Sequence, residues 1–185
     1  MVSLKILEKD VEISDPVKVK EYLAKFGIKY EKWSSGKLES EDASPEKILQ
    51  AYSDEINRLK REGGYATADV IDINRNTPGL EEMLNKFDKE HWHDEDEVRY
   101  TLKGHGLFHV SASANETLSI EVGKGDLLRV PRGTKHWFNL CSDREIRAIR
   151  LFQNKSGWTP YYTGSGNDGK FMPLCFGPSF IKPPE

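Results

Sequence analysis

Apolar positions recur with helical and strand periods in turn along the first half of this chain, and almost only with the strand period along the second. Residues 3–8 read as a short strand. Asp15-Pro16 then supplies an N-cap and a proline at the first helical position. Val19, Tyr22, Leu23 and Phe26 form one apolar stripe at i, i+3, i+4 and i+7, and Gly27 ends that helix. Ile28, Tyr30 and Trp33 suggest a strand. Ser44-Pro45 repeats the start signal, and Ile48, Leu49, Tyr52, Ile56 and Leu59 predict one helix that runs to Gly63-Gly64. Residues 65–73 predict another strand, and Thr77-Pro78 is expected to open a third helix carrying Leu80, Met83, Leu84 and Phe87.

From His91 onward, short alternating segments are separated by Gly, Pro, Asn and Asp. Val98, Tyr100 and Leu102 alternate with Arg99, Thr101 and Lys103, and Gly104-His105-Gly106 makes a turn. Strands are expected at 107–111, 117–122, 126–130, 136–140 and 145–152. Turn signals at this regular spacing indicate a sandwich or barrel. The Gly- and Pro-containing tail from Gly164 is expected to be irregular.

Composition narrows the class without changing this picture. The 185 residues suit a single compact domain, 37% hydrophobic and 31% charged, with a net charge of −3. That charge, without a Lys/Arg block, argues against a nucleic-acid partner. No apolar run reaches the ~18 residues that span a bilayer, and the N-terminus has no long apolar segment with a cleavage site. A cytoplasmic protein with no membrane partner is expected. Cys141 and Cys175 have no Cys-x-x-Cys spacing and are expected to be free thiols in packed positions.

The chemistry concentrates in Glu90-His-Trp-His-Asp-Glu-Asp-Glu-Val-Arg99. His91 and His93 stand two apart, so on a strand both rings face one side. Imidazole and carboxylate are ligands for first-row metals, whereas Arg99 is an anion clamp. On a straight strand His93 and Glu97 would lie roughly 13 Å apart, so a shared ion requires a bend at Asp94-Glu95-Asp96. A second segment, Gly125 to Asn139, brackets a buried strand with turn residues and delivers His136 onto the next strand.

Together the two segments resemble the paired motifs of the cupin β-barrel. His91, His93, Glu97 and Gly104 fit the first motif, with Asn85 where its leading glycine would be. Gly125, Pro131, Gly133 and His136 fit the second, with Asn139 one residue early. Within that superfamily the chain is similar to the bacterial-type acireductone dioxygenase family. The supporting residues are Phe26-Gly-Ile-Lys-Tyr-Glu-Lys-Trp33, Glu90-His-x-His, Asp96-Glu-Val-Arg99, Gly106-Leu-Phe108, His136-Trp-Phe138, Arg150-Leu-Phe152 and Gly157-Trp158.

The resemblance implies a mainly β fold with N-terminal α-helices and a cupin (double-stranded β-helix, jelly-roll) barrel. A single cupin domain is expected over 1–185. Within it, 1–88 is an α/β part packed on the barrel, 89–162 carries the barrel motifs and 163–185 is an irregular tail. The implied metal ligands are His91, His93, Glu97 and His136, holding one Fe2+ or Ni2+ per chain. Arg99 is the implied catalytic residue, facing the substrate's second anionic oxygen, and Phe87, Phe138 and Trp158 are candidate substrate-binding walls. The implied reaction is cleavage of 1,2-dihydroxy-3-keto-5-methylthiopentene by O2 in methionine salvage, by a monomer. With Fe2+ the products are 4-methylthio-2-oxobutanoate and formate; with Ni2+ they are methylthiopropionate, formate and CO. The Irving–Williams order favours Ni2+ at one N/O site, so metal supply would decide occupancy. Other readings stay open: a cupin dioxygenase or isomerase of another enediol, or a non-catalytic binding cupin.

Blander roles are expected nearby. Asp94, Glu95 and Asp96 read as a solvated turn, with Glu95 a rival to Glu97. His105 reads as a turn residue and His109 as an ordinary strand side chain. Glu90 is either an acceptor for an imidazole N–H or an exposed acid.

Overall fold

The computed structural model describes residues 2–38, 40, 43–154 and 157–175. Two antiparallel sheets face each other. The larger runs β12-β5-β10-β7-β8-β1-β2 and the smaller β3-β9-β6-β11-β4. Their strands are β1 (Ser3–Ile6), β2 (Val11–Ile13), β3 (Lys29–Lys32), β4 (Thr67–Ile73), β5 (His91–Trp92), β6 (Glu97–Gly104), β7 (Gly106–Ser113), β8 (Glu116–Val122), β9 (Asp126–Val130), β10 (His136–Leu140), β11 (Ile146–Phe152) and β12 (Tyr161–Tyr162). This is the barrel of two antiparallel sheets that was expected. The first part of the chain does more than pack on it: β1 pairs with β8, β3 with β9, and β4 with β11.

Of the four α-helices among the described residues, the two between Pro45 and Gly63 cover the outside of the smaller sheet, and the other two pack with a separate core cluster that holds Phe108 and Phe138. Helix α1 (Pro16–Ala24) starts at Asp15, whose carboxylate accepts from Val17 N and Lys18 N at 2.9 and 3.0 Å. The helix expected from Pro45 to Gly63 is instead two, α2 (Pro45–Ala51) and α3 (Ser53–Gly63). The break falls at Tyr52, whose hydroxyl is 3.1 Å from that of Tyr100 and whose ring packs with Trp33 and Tyr100. Those contacts lie on β6 and after β3. Helix α4 (Leu80–Asn85) also starts later than Thr77-Pro78 suggests. Thr77 Oγ1 accepts from Asn74 N, closing a turn there rather than capping the helix.

This cover decides which way β6 faces. Val98, Tyr100 and Leu102 are buried with Ile48, Tyr52, Ile56 and Leu59 of the helices. Strand parity therefore turns Glu97 and Arg99 into the barrel. β6 ends at Gly104, at φ +73°, where a Cβ would sit 1.9 Å from the Glu145 carbonyl oxygen. Only glycine fits that approach.

Two expectations about buried groups are corrected. Cys141 and Cys175 are joined in a disulfide and are buried with Leu107. Spacing carried no signal because the pair is separated by 34 residues and meets only when the tail lies back beside the end of β10. A loop of that length contributes roughly 3–4 kcal/mol through the unfolded chain. Chemical denaturation with and without a reductant should show a loss of that size, and the Cys175→Ser variant should show it without reductant.

His109, expected to be ordinary, is fully buried. Its ring stacks on Trp137 at 4.9 Å, and neither ring nitrogen has a partner. Burial pushes its pKa down to about 4. Between pH 6.5 and 4 the unfolded chain therefore binds a proton that the folded chain refuses, and stability falls as pH is lowered. At about 1.4 kcal/mol per pKa unit the loss is about 3 kcal/mol. Urea denaturation at several pH values should give a flatter profile for His109→Phe across this window. The residues beyond Cys175, expected to be irregular, lie outside the described residues; within 163–175 only a 3-10 turn at Asn167–Gly169 is regular.

Candidate metal centre

The bend demanded by the ligand spacing is a crossing between sheets. His91 lies on β5 of the larger sheet and Glu97 on β6 of the smaller, with His93 just after β5. His136, at the start of β10, is the direct cross-strand partner of His91. One ligand atom from each of His91, His93, Glu97 and His136 falls within 4.8 Å of the others, and all four residues are buried.

Asp94-Glu95-Asp96 makes the crossing, and it is not the solvated turn expected. Only Asp94 is exposed. Asp96 accepts from Tyr65 Oη at 2.8 Å, Arg129 Nε at 2.9 Å and Arg132 N at 3.1 Å. Glu95 Oε2 accepts from Gln153 N and Asn154 N at 2.7 and 3.0 Å, outside the ligand cluster. Gly133, at φ +77°, donates its N–H to the His93 carbonyl at 2.8 Å, so the turn before His136 also pins His93. These partners lie 31 to 59 residues away in the chain, which is why a run of three acids read as surface.

The orientation of the rings tests whether the residues fit a metal. In each histidine, Nδ1 lies beside a backbone carbonyl: His91 to Lys89 at 2.6 Å, His93 to Thr159 at 2.7 Å and His136 to Thr134 at 2.8 Å. A carbonyl only accepts, so each Nδ1 carries the proton and each Nε2 keeps its lone pair. His91 Nε2, His93 Nε2 and Glu97 Oε1 are buried with no hydrogen-bond partner. His93 Nε2 is 3.2 Å from Glu97 Oε2 without the alignment of a hydrogen bond, whereas His136 Nε2 is 3.0 Å from the same oxygen and is aligned. Buried His91 and His93 nitrogens that converge on a carboxylate without hydrogen-bond partners fit a divalent cation.

The electrostatics favour the metal-binding form of Glu97, a carboxylate, and of His91, a neutral imidazole. Burial would raise the Glu97 carboxyl, but the Arg99 charge and the adjacent His136 and His93 imidazoles hold it well below the usual range. Burial and the neighbouring His136 bring His91 down to about 4. His93 moves the other way, because Glu97 outweighs burial.

Arg99 is buried, with Nε 2.7 Å from Glu97 Oε1. Its guanidinium lies 4.6 Å from the Phe138 ring and 5.1 Å from Trp158. Trp158 stacks on His93 at 6.2 Å and donates to the Asp96 carbonyl, while Phe87 lies 5.7 Å from the His91 ring. Phe87 and Trp158 line a cleft of about 410 Å³ with Thr67, Ala68, Asp69, Arg150 and Phe152. Phe138 does not reach that cleft and sits beneath Arg99. Asn139 points the opposite way from His136 and Phe138, as strand parity requires.

Arg150 was given no role by sequence reasoning. It is the cross-strand partner of Arg99 and grips Asp69 through Nε and Nη2 at 2.9 and 2.7 Å. Glu90 is neither an imidazole acceptor nor an exposed acid. It is 2% exposed and takes hydrogen bonds from Ser111, Thr163, Ser165 and Asn167. Burial raises its pKa, but these four bonds outweigh it and bring it down to about 2.

The chain is similar to known proteins over most of its length. An acireductone dioxygenase of Synechococcus sp. strain CC9605 is 42% identical over 164 residues, covering 89% of this chain and 88% of that protein. One from Bacillus anthracis is 37% identical over 170 residues, covering 88% of this chain and 100% of that protein. The solved structure of the Bacillus anthracis acireductone dioxygenase with a cadmium ion in its active centre superposes with a TM-score of 0.83, covering 88% of this chain and 98% of that one. The model of the ARD/ARD' family matches residues 5–160. With two thirds and more of each relative spanned at such identity, and the family model matched over most of the chain, the chain belongs to the ARD/ARD' family.

Proposed function

We propose that this chain is a metal-dependent dioxygenase that cleaves an acireductone, 1,2-dihydroxy-3-keto-5-methylthiopentene, with O2. The observation that carries the reading is the set of three Nε2 lone pairs and one carboxylate converging within 4.8 Å, with every Nδ1 already committed to a carbonyl. His91, His93, Glu97 and His136 would hold one Fe2+ or Ni2+. When bound, such an ion supplies Lewis acidity and open coordination positions for a two-oxygen anion.

The chain's own residues do the rest. Three neutral imidazoles and one carboxylate leave a site of net charge +1 around a divalent ion, which suits an enediolate. Arg99 holds the substrate's second anionic oxygen by exchanging its contact with Glu97 for one to the ligand. Its planar group is kept in place by Phe138 and Trp158. Phe87 and Trp158 form the walls of the cleft, receive the methylthioalkyl tail and keep water from the reacting anion. The metal taken up sets the products: 4-methylthio-2-oxobutanoate and formate with Fe2+, or methylthiopropionate, formate and CO with Ni2+. A monomer in the cytoplasm, serving methionine salvage, completes the reading. Among the described residues no helix is long and apolar enough to cross a membrane.

The test is anaerobic mixing of metal-loaded protein with the acireductone, followed by admission of O2. Rapid loss of the enediolate absorbance is expected, with different product sets for the two metals. No acceleration over the uncatalysed reaction with either metal would overturn the assignment.

A further inference from the structure

Glu90 precedes the first histidine, yet its side chain points away from the ligand cluster and across the larger sheet. Just before β5, it is turned away from His91: Glu90 meets Ser111 of β7, while His91 faces His136. A buried carboxylate without a cation is costly unless several donors surround it. Among the described residues Glu90 forms no ion pair, and its two oxygens take donors from four side chains. Oε1 accepts from Ser111 Oγ at 2.5 Å and Asn167 Nδ2 at 3.2 Å; Oε2 accepts from Ser165 Oγ at 2.5 Å and from Thr163 Oγ1. Three of these four donors come from one strap of chain after β12.

The backbone of Glu90 holds the same strap. Its carbonyl accepts from Thr163 N at 3.1 Å, and its N–H donates to Asp168 Oδ1 at 3.3 Å. Upstream, the strap pairs with β5, Tyr162 opposite His91 and Tyr161 opposite Trp92, with the Trp92 and Tyr161 rings stacked at 4.6 Å. One step further, Thr159 provides the carbonyl that takes the His93 Nδ1 proton. The strap is therefore the source of the contact that orients His93 and of the strand that flanks His91, and Glu90 is where it is fastened.

We propose that Glu90 is a positioning residue for the metal centre, fastening the strap Thr159–Asp168 so that the Thr159 carbonyl fixes the tautomer and direction of His93 and β12 fixes β5. It touches neither the metal nor the substrate, and it acts through His91 and His93. The inference rests on the reading of those residues as metal ligands. Loss of a partner that orients a ligand histidine typically costs about 10- to 100-fold in metal affinity.

Co2+ serves as the probe, because its visible absorption reports the geometry of its ligands as well as its occupancy. In the full chain, Glu90→Gln should weaken Co2+ binding about 10- to 100-fold and change the shape of the absorption band. Ser165→Ala and Asn167→Ala, which loosen the strap while leaving Glu90 in place, should each weaken binding by a few fold, in line with about 1 kcal/mol per hydrogen bond. Glu90→Gln combined with Ser165→Ala should be no worse than Glu90→Gln alone, since both act through one fastening. Glu90→Asp, which keeps the carboxylate, should recover part of the affinity.

Unchanged Co2+ affinity and band shape in Glu90→Gln, alongside faster amide exchange in 159–168, would overturn the inference and leave Glu90 as a tail anchor only. If Glu90→Gln does not fold, Ser165→Ala and Asn167→Ala decide, and wild-type affinity and spectrum in both would overturn it equally. Failure of the metal-site reading looks different: the wild-type protein itself would take up no stoichiometric Co2+.

Discussion

His136→Ala removes metal and turnover together. The imidazole is a member of the converging set, with Nε2 3.0 Å from Glu97 Oε2 and Nδ1 held by the Thr134 carbonyl. Its loss leaves two histidines and one carboxylate, and no described neighbour in the cluster can replace the missing nitrogen. Losing a residue that merely orients a ligand costs about 10- to 100-fold in affinity, so losing the ligand should cost more than about 100-fold. Metal content after gel filtration and dioxygenase rate should fall in parallel, while the far-ultraviolet circular dichroism stays that of the folded barrel. Full metal retention in His136→Ala would remove this residue from the centre.

Arg99→Ala should separate the two properties. Its guanidinium is no metal ligand and rests 2.7 Å from Glu97 Oε1, where it competes with a cation for the carboxylate. Metal content should therefore stay at one ion per chain or bind more tightly. Turnover should fall by about 10²–10³, the range typical for removing one aimed donor from a developing anion. Arg99→Lys should recover only part, because an ammonium lacks the planar fork and the stacking between Phe138 and Trp158. Kinetics measured beside metal analysis decide the matter, and near wild-type turnover in metal-replete Arg99→Ala would exclude the anion-clamping role.

Much of the site could be read from local pattern. His-x-His at strand spacing, an acid beyond it, and a histidine after Pro-x-Gly are short-range features, and the structure brings these four residues together. The parity of Glu97 and Arg99 was also legible, because Val98, Tyr100 and Leu102 are apolar and take the helix-covered face. Other features could not be read, for one recurring reason. Asp96 is buried because Tyr65, Arg129 and the Arg132 amide come to it from three different segments. Glu90 is buried because the strap returns to β5 from 73 to 78 residues later. Acids with such distant partners look like surface acids until the partners are in place.

The disulfide and the broken helix follow the same rule. Cys141 and Cys175 carry no mutual signal across their separation, and the apolar stripe of α2 and α3 continues through Tyr52 as though the helix did too. The break falls at Tyr52, whose backbone leaves helical geometry at φ −102° and ψ 16° and whose hydroxyl meets Tyr100 of β6.

Side-chain period and residue chemistry were thus enough to name most strands of the barrel (though not the short β2, β5 and β12), the shared parity of Glu97 and Arg99, and the kind of ligands the centre offers. Each of these depends on neighbours a few positions apart along one element. Closure of the two sheets decided the rest: the crossing from β5 to β6, the meeting of His136 with His91, and the Thr159 carbonyl that orients His93. Those contacts join segments that share no local pattern. They exist only because burying both faces of the smaller sheet and the inner face of the larger leaves the chain one compact way to return.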